Sequence, residues 1–343
     1  MLKWMKRKEV RPGFHSYIIT ALSYMALGLF ASLIMGLMME TAGEMLILPF
    51  WATGGQLLMD MGGLAMSLMG PAIGVAIAYG LKAPGLVIFS AVVAGAAGAE
   101  LGGPAGSYAA ALIATEVGKL VSGETKVDII VTPFVTITTG FLTAQFIGPP
   151  IAAFLERFGS FIIWSTEQQP FLMGILLAVF MGLALTAPIS SAALAFMLGL
   201  DGLAAGAAAV GCSAQMVGFA VSSYRENGLS GLIALGIGTS MLQIANIAKN
   251  PRILIPPTVT AAVLGPLATM VFYLENNTAG AGMGTSGFVG PVMTINTMGT
   301  GTDILFAILL LYFVLPALIS LVLSESLRRA GWIKQGDMTI PKN

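Results

Sequence analysis

Apolar residues fall in long blocks that are separated by short polar or glycine-rich stretches. About 20 apolar residues are needed to cross the ~30 Å hydrocarbon core of a bilayer as a helix. Blocks of that order recur along the chain, and they predict an all-α polytopic membrane protein with ten transmembrane helices. The predicted spans are 17–39, 62–81, 84–99, 105–121, 127–150, 170–187, 189–201, 203–223, 256–274 and 303–325.

Three further apolar segments do not have the pattern of a plain crossing. The segment 44–60 is broken by Pro49 and by two adjacent glycines, which favours an interfacial helix. The segments 228–248 and 278–298 are interrupted by glycines or polar residues, which predicts re-entrant hairpins. The length of 228–248 leaves an ordinary crossing open as the alternative.

Two stretches of the sequence recur. Met69–Pro84 aligns without gaps on Met173–Pro188, and Ile129–Thr136 aligns on Ile253–Thr260. Internal repeats are common in transporters, where they surround a site near the membrane midplane. The predicted organisation is a basic arm at 1–16, a single transporter-like domain at 17–327 with repeat halves at about 44–150 and 158–275, and a tail at 328–343.

Composition agrees with a membrane protein and excludes several function classes. Hydrophobic residues make up 56% of the 343 positions and charged residues 9%, against about 25% charged in soluble domains. The formal net charge of zero predicts no nucleic-acid partner. One cysteine and one histidine exclude an internal disulfide and a histidine-based metal centre. We therefore expect no cofactor, no bound metal and no catalytic residue.

Basic residues predict the orientation of the chain. Positive charges concentrate in cytoplasmic segments of membrane proteins, so both termini are predicted to be cytoplasmic. The basic residues behind this prediction are Lys3, Lys6, Lys8, Arg7, Arg11, Arg328, Arg329 and Lys334.

Polar side chains inside membrane spans are costly unless they are paired, so they indicate where function lies. One face of a single predicted helix carries four threonines, spaced at i, i+4, i+7 and i+11. The alternative is that these hydroxyls bond carbonyls of their own helix and only tighten its packing. The four residues are Thr132, Thr136, Thr139 and Thr143.

Four other features are candidate contacts for a solute. The amides Gln243 and Asn246 share one helical face, with the end of an interfacial helix as the alternative role. The glycine-rich loop 280–291 offers free backbone dihedrals, and it contains Gly284 with two hydroxyl residues. Glu100 lies in a Gly/Pro turn, and the Glu116–Lys119 spacing indicates a helix-end ion pair rather than a site. The loop hydroxyls and the amide beyond them are Thr285, Ser286 and Asn296.

The strings Thr186-Ala-Pro-Ile-Ser-Ser-Ala-Ala193 and Gly282-Met-Gly-Thr-Ser-Gly-Phe-Val-Gly290 carry a family resemblance. The chain resembles the membrane subunit IIC of the phosphoenolpyruvate-dependent sugar phosphotransferase system, within the branch of the perfringolysin regulator-like membrane proteins. The resemblance covers roughly residues 15–325. It implies a homodimer with about ten transmembrane helices, re-entrant hairpins and interfacial helices, and it implies separate IIA- and IIB-type cytoplasmic proteins as candidate partners.

These observations predict a permease of the bacterial plasma membrane that moves a small polar solute, with a sugar as the candidate. At most the chain is the membrane subunit of a sugar phosphotransferase. The Asn/Gly-Ile-Thr-Glu string that supplies the sugar-binding glutamate in well-characterised sugar IIC proteins is absent, and these 343 residues include no IIA- or IIB-like segment. The alternative is therefore a membrane sensor or regulator that binds a ligand without transporting it.

Overall fold

The computed structural model describes residues 8, 10, 13–47 and 52–340, which are helical apart from turns and one isolated β-bridge between Gly202 and Asn276. The contacts divide the chain into two compact units, unit 1 (Met1–Glu156) and unit 2 (Arg157–Asn343). Several residues named above lie outside the described residues, namely Lys3, Lys6, Arg7, Arg11 and Pro49.

Unit 1 is built from long helices that pack through small residues. Helix α1 (15–47) lies along α2 (Ala52–Ser67), with Gly36 against Gly62, and the backbones approach closely because neither glycine has a side chain. A bend of 53° separates α2 from α3 (Met69–Gly80). The remaining helices are α4 (Gly85–Val121) and α5 (Asp128–Thr166), and the last residues of α5 belong to unit 2.

Helix α4 folds back on itself. Gly102 and Gly103 leave the helical conformation, and Gly103 has a φ of +59° that favours glycine. Beyond this turn Gly106 packs against Gly98, and Ser107 donates a hydrogen bond to the carbonyl of Gly95. The turn therefore lies in the gap between the predicted spans 84–99 and 105–121.

In unit 2, helix α8 (Gly202–Ser222) is almost entirely buried by the helices around it. Gly211 of α8 lies directly against the backbone of Ala178 on α6 (Pro170–Thr186). The bounds are α6 (Pro170–Thr186), α7 (Ser191–Leu198), α8 (Gly202–Ser222), α9 (Tyr224–Ile233), α10 (Ile244–Lys249), α11 (Ile255–Pro266), α12 (Thr278–Ala281), α13 (Val289–Met298) and α14 (Thr302–Arg329).

The predicted count of ten crossings is not confirmed, and neither is the internal repeat. Within the described ranges, six helices are long and apolar enough to cross a membrane, or seven if the bent pair α2 and α3 forms one span. The predicted span 189–201 contains only the eight residues of α7, which extend about 12 Å. The predicted boundary near residue 61 is also wrong, because α2 continues through it to Ser67.

The two segments set apart as hairpins are interrupted helices. In the first, α9 leads through a π-helical turn, Ala234–Gly238, to a break at Thr239, where the backbone is extended. In the second, the four-residue α12 ends at Ala281, and an α-helix resumes only at Val289, after a 3₁₀ turn at Ser286–Phe288. A plain crossing at 228–248 would be continuous, so the breaks favour the hairpin interpretation, which stays a prediction.

Candidate functional site

The two interrupted helices of unit 2 meet where both are broken. Thr285 Oγ1 donates a hydrogen bond to the Gly236 carbonyl at 2.6 Å, and Ser286 Oγ donates one to the Gly238 carbonyl at 2.8 Å. Thr285 and Ser286 are both fully buried. Since a break in a helix frees backbone carbonyls, side-chain hydroxyls from the other segment supply the missing donors. We call residues 236–240 together with 282–288 the broken-helix crossing.

Local sequence explains why both segments break at this point. Gly284 has a φ of +55°, and a Cβ there would lie 2.6 Å from the backbone nitrogen of Ser213. Phe288 is also left-handed, with a φ of +61°, which is uncommon for an aromatic residue. In the other segment, Thr239 Oγ1 accepts a hydrogen bond from Met241 N at 3.2 Å and starts the next turn.

A row of polar side chains continues from the crossing through the unit. Ser240 Oγ lies 2.8 Å from Thr186 Oγ1 at the end of α6, and Thr186 also lies 3.5 Å from Gln215 Oε1. Gln215 Nε2 donates to Thr258 Oγ1 at 3.0 Å. Gln215 is fully buried, whereas Thr258 is half-buried, so this row extends from the dry interior towards the surface of the unit.

A buried amide fixes the second interrupted segment. Asn276 Nδ2 donates to the Gly290 carbonyl at 3.0 Å, and it lies 3.0 Å from Thr294 Oγ1 and 3.1 Å from the Tyr312 hydroxyl. Asn276 and Tyr312 are both fully buried. This cluster ties α12, α13 and α14 together and thereby holds Thr285 and Ser286 in register with residues 236–240.

The predicted threonine face lies in unit 1 on α5, where its hydroxyls bond within that helix. Thr136 Oγ1 donates to the Thr132 carbonyl at 2.8 Å, and Thr143 Oγ1 donates to the Thr139 carbonyl at 2.7 Å. Thr132 Oγ1 lies 2.5 Å from Asp128 Oδ1. Thr132, Thr136 and Thr143 are buried and Thr139 is half-buried. This geometry is that of packing threonines, and a role in solute binding stays a prediction.

Glu100 and Asn296 lie apart from these hydrogen bonds. Glu100 is exposed beside the turn of α4, and Asn296 is exposed on α13, where its Nδ2 lies 3.7 Å from Met293 Sδ. Gly284, by contrast, lies inside the broken-helix crossing with Thr285 and Ser286. The structure therefore brings together three of the predicted solute contacts.

The amides Gln243 and Asn246 bind the C-terminal segment of the chain. Gln243 Nε2 donates to the Met338 carbonyl at 2.9 Å, and Asn246 Nδ2 donates to the Thr339 carbonyl at 2.9 Å. Asn227 contacts the same segment, because its Nδ2 donates to the Met338 carbonyl at 2.8 Å. The predicted tail therefore packs on unit 2, with Met338 fully buried.

Sequence reasoning did not single out Ser240, Asn276 or Tyr312. Ser240 follows the glycines of a segment already predicted to be interrupted, and Asn276 begins an Asn-Asn pair just before the glycine-rich loop. Both positions could have been found as polar residues next to breaks. Tyr312 lies in a continuous apolar block, where no neighbouring glycine, proline or polar residue distinguishes it from a packing residue.

Unit 2 thus has the features of a membrane protein with broken helices that meet at a buried polar site. Comparison with known protein families assigns the whole chain to a family. The family model "Phosphotransferase system, EIIC" matches residues 19–340, and the chain belongs to this family. No curated protein and no solved structure matches the chain. Family membership supports a multi-pass membrane component of sugar transport, with IIA and IIB proteins as cytoplasmic partners.

Proposed function

We propose that the protein is a sugar permease whose solute site is the broken-helix crossing of unit 2. The supporting observation is that Thr285 and Ser286 satisfy the carbonyls of Gly236 and Gly238. A sugar hydroxyl has the same hydrogen-bonding groups as a threonine or serine hydroxyl. When the two segments separate, solute hydroxyls can replace these side chains at the freed carbonyls without leaving a buried acceptor unpaired.

The row from Ser240 through Thr186 and Gln215 to Thr258 provides the second wall of this proposed site. Its half-buried end at Thr258 is where a solute would first meet polar side chains. Gln215 offers both a donor and an acceptor, which suits neighbouring hydroxyls of one sugar ring. The threonine face of α5 and Glu100 stay predictions of further contacts.

The wider assignment follows the family. We propose that the protein acts in the bacterial plasma membrane as a homodimer, with both termini cytoplasmic. Arg328 and Arg329 at the end of α14 and Lys8 near the start support this orientation through the positive-inside rule. In this arrangement, the sugar would be presented to a IIB-type protein on the cytoplasmic side, and a IIA-type protein would be the second cytoplasmic partner.

Counterflow uptake in proteoliposomes tests the site without requiring phosphorylation partners. Labelled hexoses, pentoses and hexitols would be offered to the full chain, and at least one should exchange. Thr285→Val should reduce that exchange about ten-fold or more, since it removes a donor to a buried carbonyl, and Thr285→Ser should restore most of it. Thr297→Val is the matched control, because the hydroxyl of the exposed Thr297 donates to the Met293 carbonyl of its own helix.

Two outcomes would reject this proposal. Unchanged exchange in Thr285→Val would remove the crossing as the solute site. A sugar that stabilises the wild-type protein against heat but never exchanges across the bilayer would support the sensor alternative instead.

A further inference from the structure

Unit 1 contains a polar cavity that the permease site of unit 2 does not include. Its volume is about 240 Å³, and it lies where α1 begins and where α3 and α4 end. This is slightly below the roughly 300–1,000 Å³ of pockets for drug-sized ligands, so it limits an occupant to about the size of a monosaccharide. The lining residues are His15, Ser16, Thr20, Gly80, Leu81, Lys82, Glu116 and Lys119.

The inner wall of the cavity carries a buried ion pair with an unsatisfied oxygen. Lys119 Nζ donates to the Leu81 carbonyl at 3.0 Å and to Glu116 Oε1 at 3.2 Å, and Lys119 is only 2% exposed. Glu116 is 9% exposed. The Tyr17 hydroxyl acts as a hydrogen-bonding partner of this carboxyl group. Among the described residues, however, no donor meets hydrogen-bond geometry at Glu116 Oε2 itself.

An unpaired buried carboxylate oxygen is costly, at about 1–3 kcal/mol or more. Since Lys119 already neutralises the charge of Glu116, a second cation is not what this oxygen lacks. A hydroxyl group can supply the missing donor without adding charge. The inner wall therefore favours a ligand with hydroxyl groups, and Ser16 and Thr20 add hydroxyls to the same cavity.

At the exposed rim of the cavity, Lys82 supplies a positive charge, in contrast to the carboxylate oxygen of the inner wall. It is exposed, and no ion pair to it occurs among the described residues. Its φ of +57° places it in the left-handed region at the end of α3, where Ala83 N donates to the Ala78 carbonyl. Glycine is the usual residue at this position of a helix end, and another residue costs roughly 1 kcal/mol. A lysine in this strained conformation on the rim of a cavity is consistent with a use for its ammonium group.

We propose that this cavity binds a small polyhydroxylated anion. Hydroxyl groups of the ligand donate to Glu116 on the inner wall, and the negatively charged group pairs with Lys82 at the rim. Sugar and polyol phosphates have this combination of groups. The cavity is built wholly from residues of unit 1, so this binding does not depend on the permease site.

Isothermal titration of the detergent-purified full chain would test the proposal with hexose and hexitol phosphates as probes. At least one probe should bind and raise the midpoint of thermal unfolding. Lys82→Met should weaken binding about ten-fold, which corresponds to about 1.4 kcal/mol, whereas Lys82→Arg should keep it within about three-fold. Thr20→Val should weaken binding about three-fold. Lys126→Met is the matched control, because Lys126 is exposed and outside the cavity.

Parallel titrations identify which groups the cavity recognises. Neutral hexoses and inorganic phosphate should each bind at least about ten-fold more weakly than the best sugar phosphate. Equal binding of inorganic phosphate would overturn the role of the hydroxyls, and equal binding of a neutral hexose would overturn the role of Lys82. The proposal also fails if no probe binds the wild-type protein, or if Lys82→Met binds as the wild type does.

Discussion

The threonines of unit 1 and the hydroxyl residues of unit 2 make different kinds of hydrogen bond. On α5, Thr136 and Thr143 donate to carbonyls four residues earlier in the same helix. At the broken-helix crossing, Thr285 and Ser286 donate to carbonyls 49 and 48 residues away. A hydroxyl that bonds its own helix leaves no other element dependent on it. A hydroxyl that connects two interrupted helices satisfies a carbonyl of one segment from a side chain of the other. Because a solute hydroxyl could take its place there, the broken-helix crossing is the better candidate site.

Both units contain helices whose backbones pack closely at glycines. Disrupting such a contact should cause the largest loss of stability. A Cβ at Gly211 would overlap the backbone of Ala178, which cannot move aside as a flexible side chain can. Gly211→Ala should therefore destabilise the protein by about 3 kcal/mol or prevent its accumulation. Gly63→Ala is the matched control, because nothing lies within 4 Å of a Cβ there. Denaturant titration in detergent measures both, and equal midpoints would contradict the close contact.

The next largest effect is expected at the amide that holds the second interrupted segment. Asn276→Ala removes the donor to the Gly290 carbonyl and leaves Thr294 and Tyr312 without it, so we expect a loss of about 2 kcal/mol. Asn296→Ala changes an exposed amide on the neighbouring helix and should cost less than about 0.5 kcal/mol. Thermal unfolding of both variants is the measurement. Similar midpoints for the two would show that the buried cluster adds no stability.

The contrast between the units predicts unequal costs for one chemical change. Thr285→Val leaves the buried Gly236 carbonyl without its donor and should cost about 1–2 kcal/mol. Thr136→Val removes only a bond within α5 and should stay within about 0.5 kcal/mol. Unfolding in detergent would compare them directly. A Thr136→Val loss equal to that of Thr285→Val would remove the distinction between the units.

The sequence predicts local breaks well because glycine, proline and polar residues act on the backbone near them. The turn at Gly102 and Gly103, the interruption at 282–288 and the Glu116–Lys119 pair each follow from residues close together in the chain. Such reasoning does not predict contacts between residues that are far apart in the chain. Ser240 and Thr186 are 54 residues apart, and their 2.8 Å contact depends on how the end of α6 packs against the turn Ser240–Gln243.

The unit 1 cavity could not be predicted for the same reason. The spacing of Glu116 and Lys119 predicts that they pair, and this is confirmed. That Glu116 and Lys82 line one cavity depends on α1, α3 and α4 meeting at one end, and no local pattern records that meeting.

The smallest expected effect is at Lys82 in unit 1, and it tests whether this lysine serves ligand binding or folding. Lys82→Gly replaces a left-handed lysine by the residue that adopts this conformation freely, and the folded protein should gain about 0.5–1 kcal/mol. Lys82→Ala keeps the Cβ and should gain nothing, which separates backbone strain from the loss of charge. Thermal unfolding without any added solute measures both. Because a stabilising residue is available at this position, a gain in Lys82→Gly together with weaker sugar-phosphate binding would show that the lysine serves binding rather than folding. A Lys82→Gly variant less stable than the wild type would instead show that the side chain supports the fold.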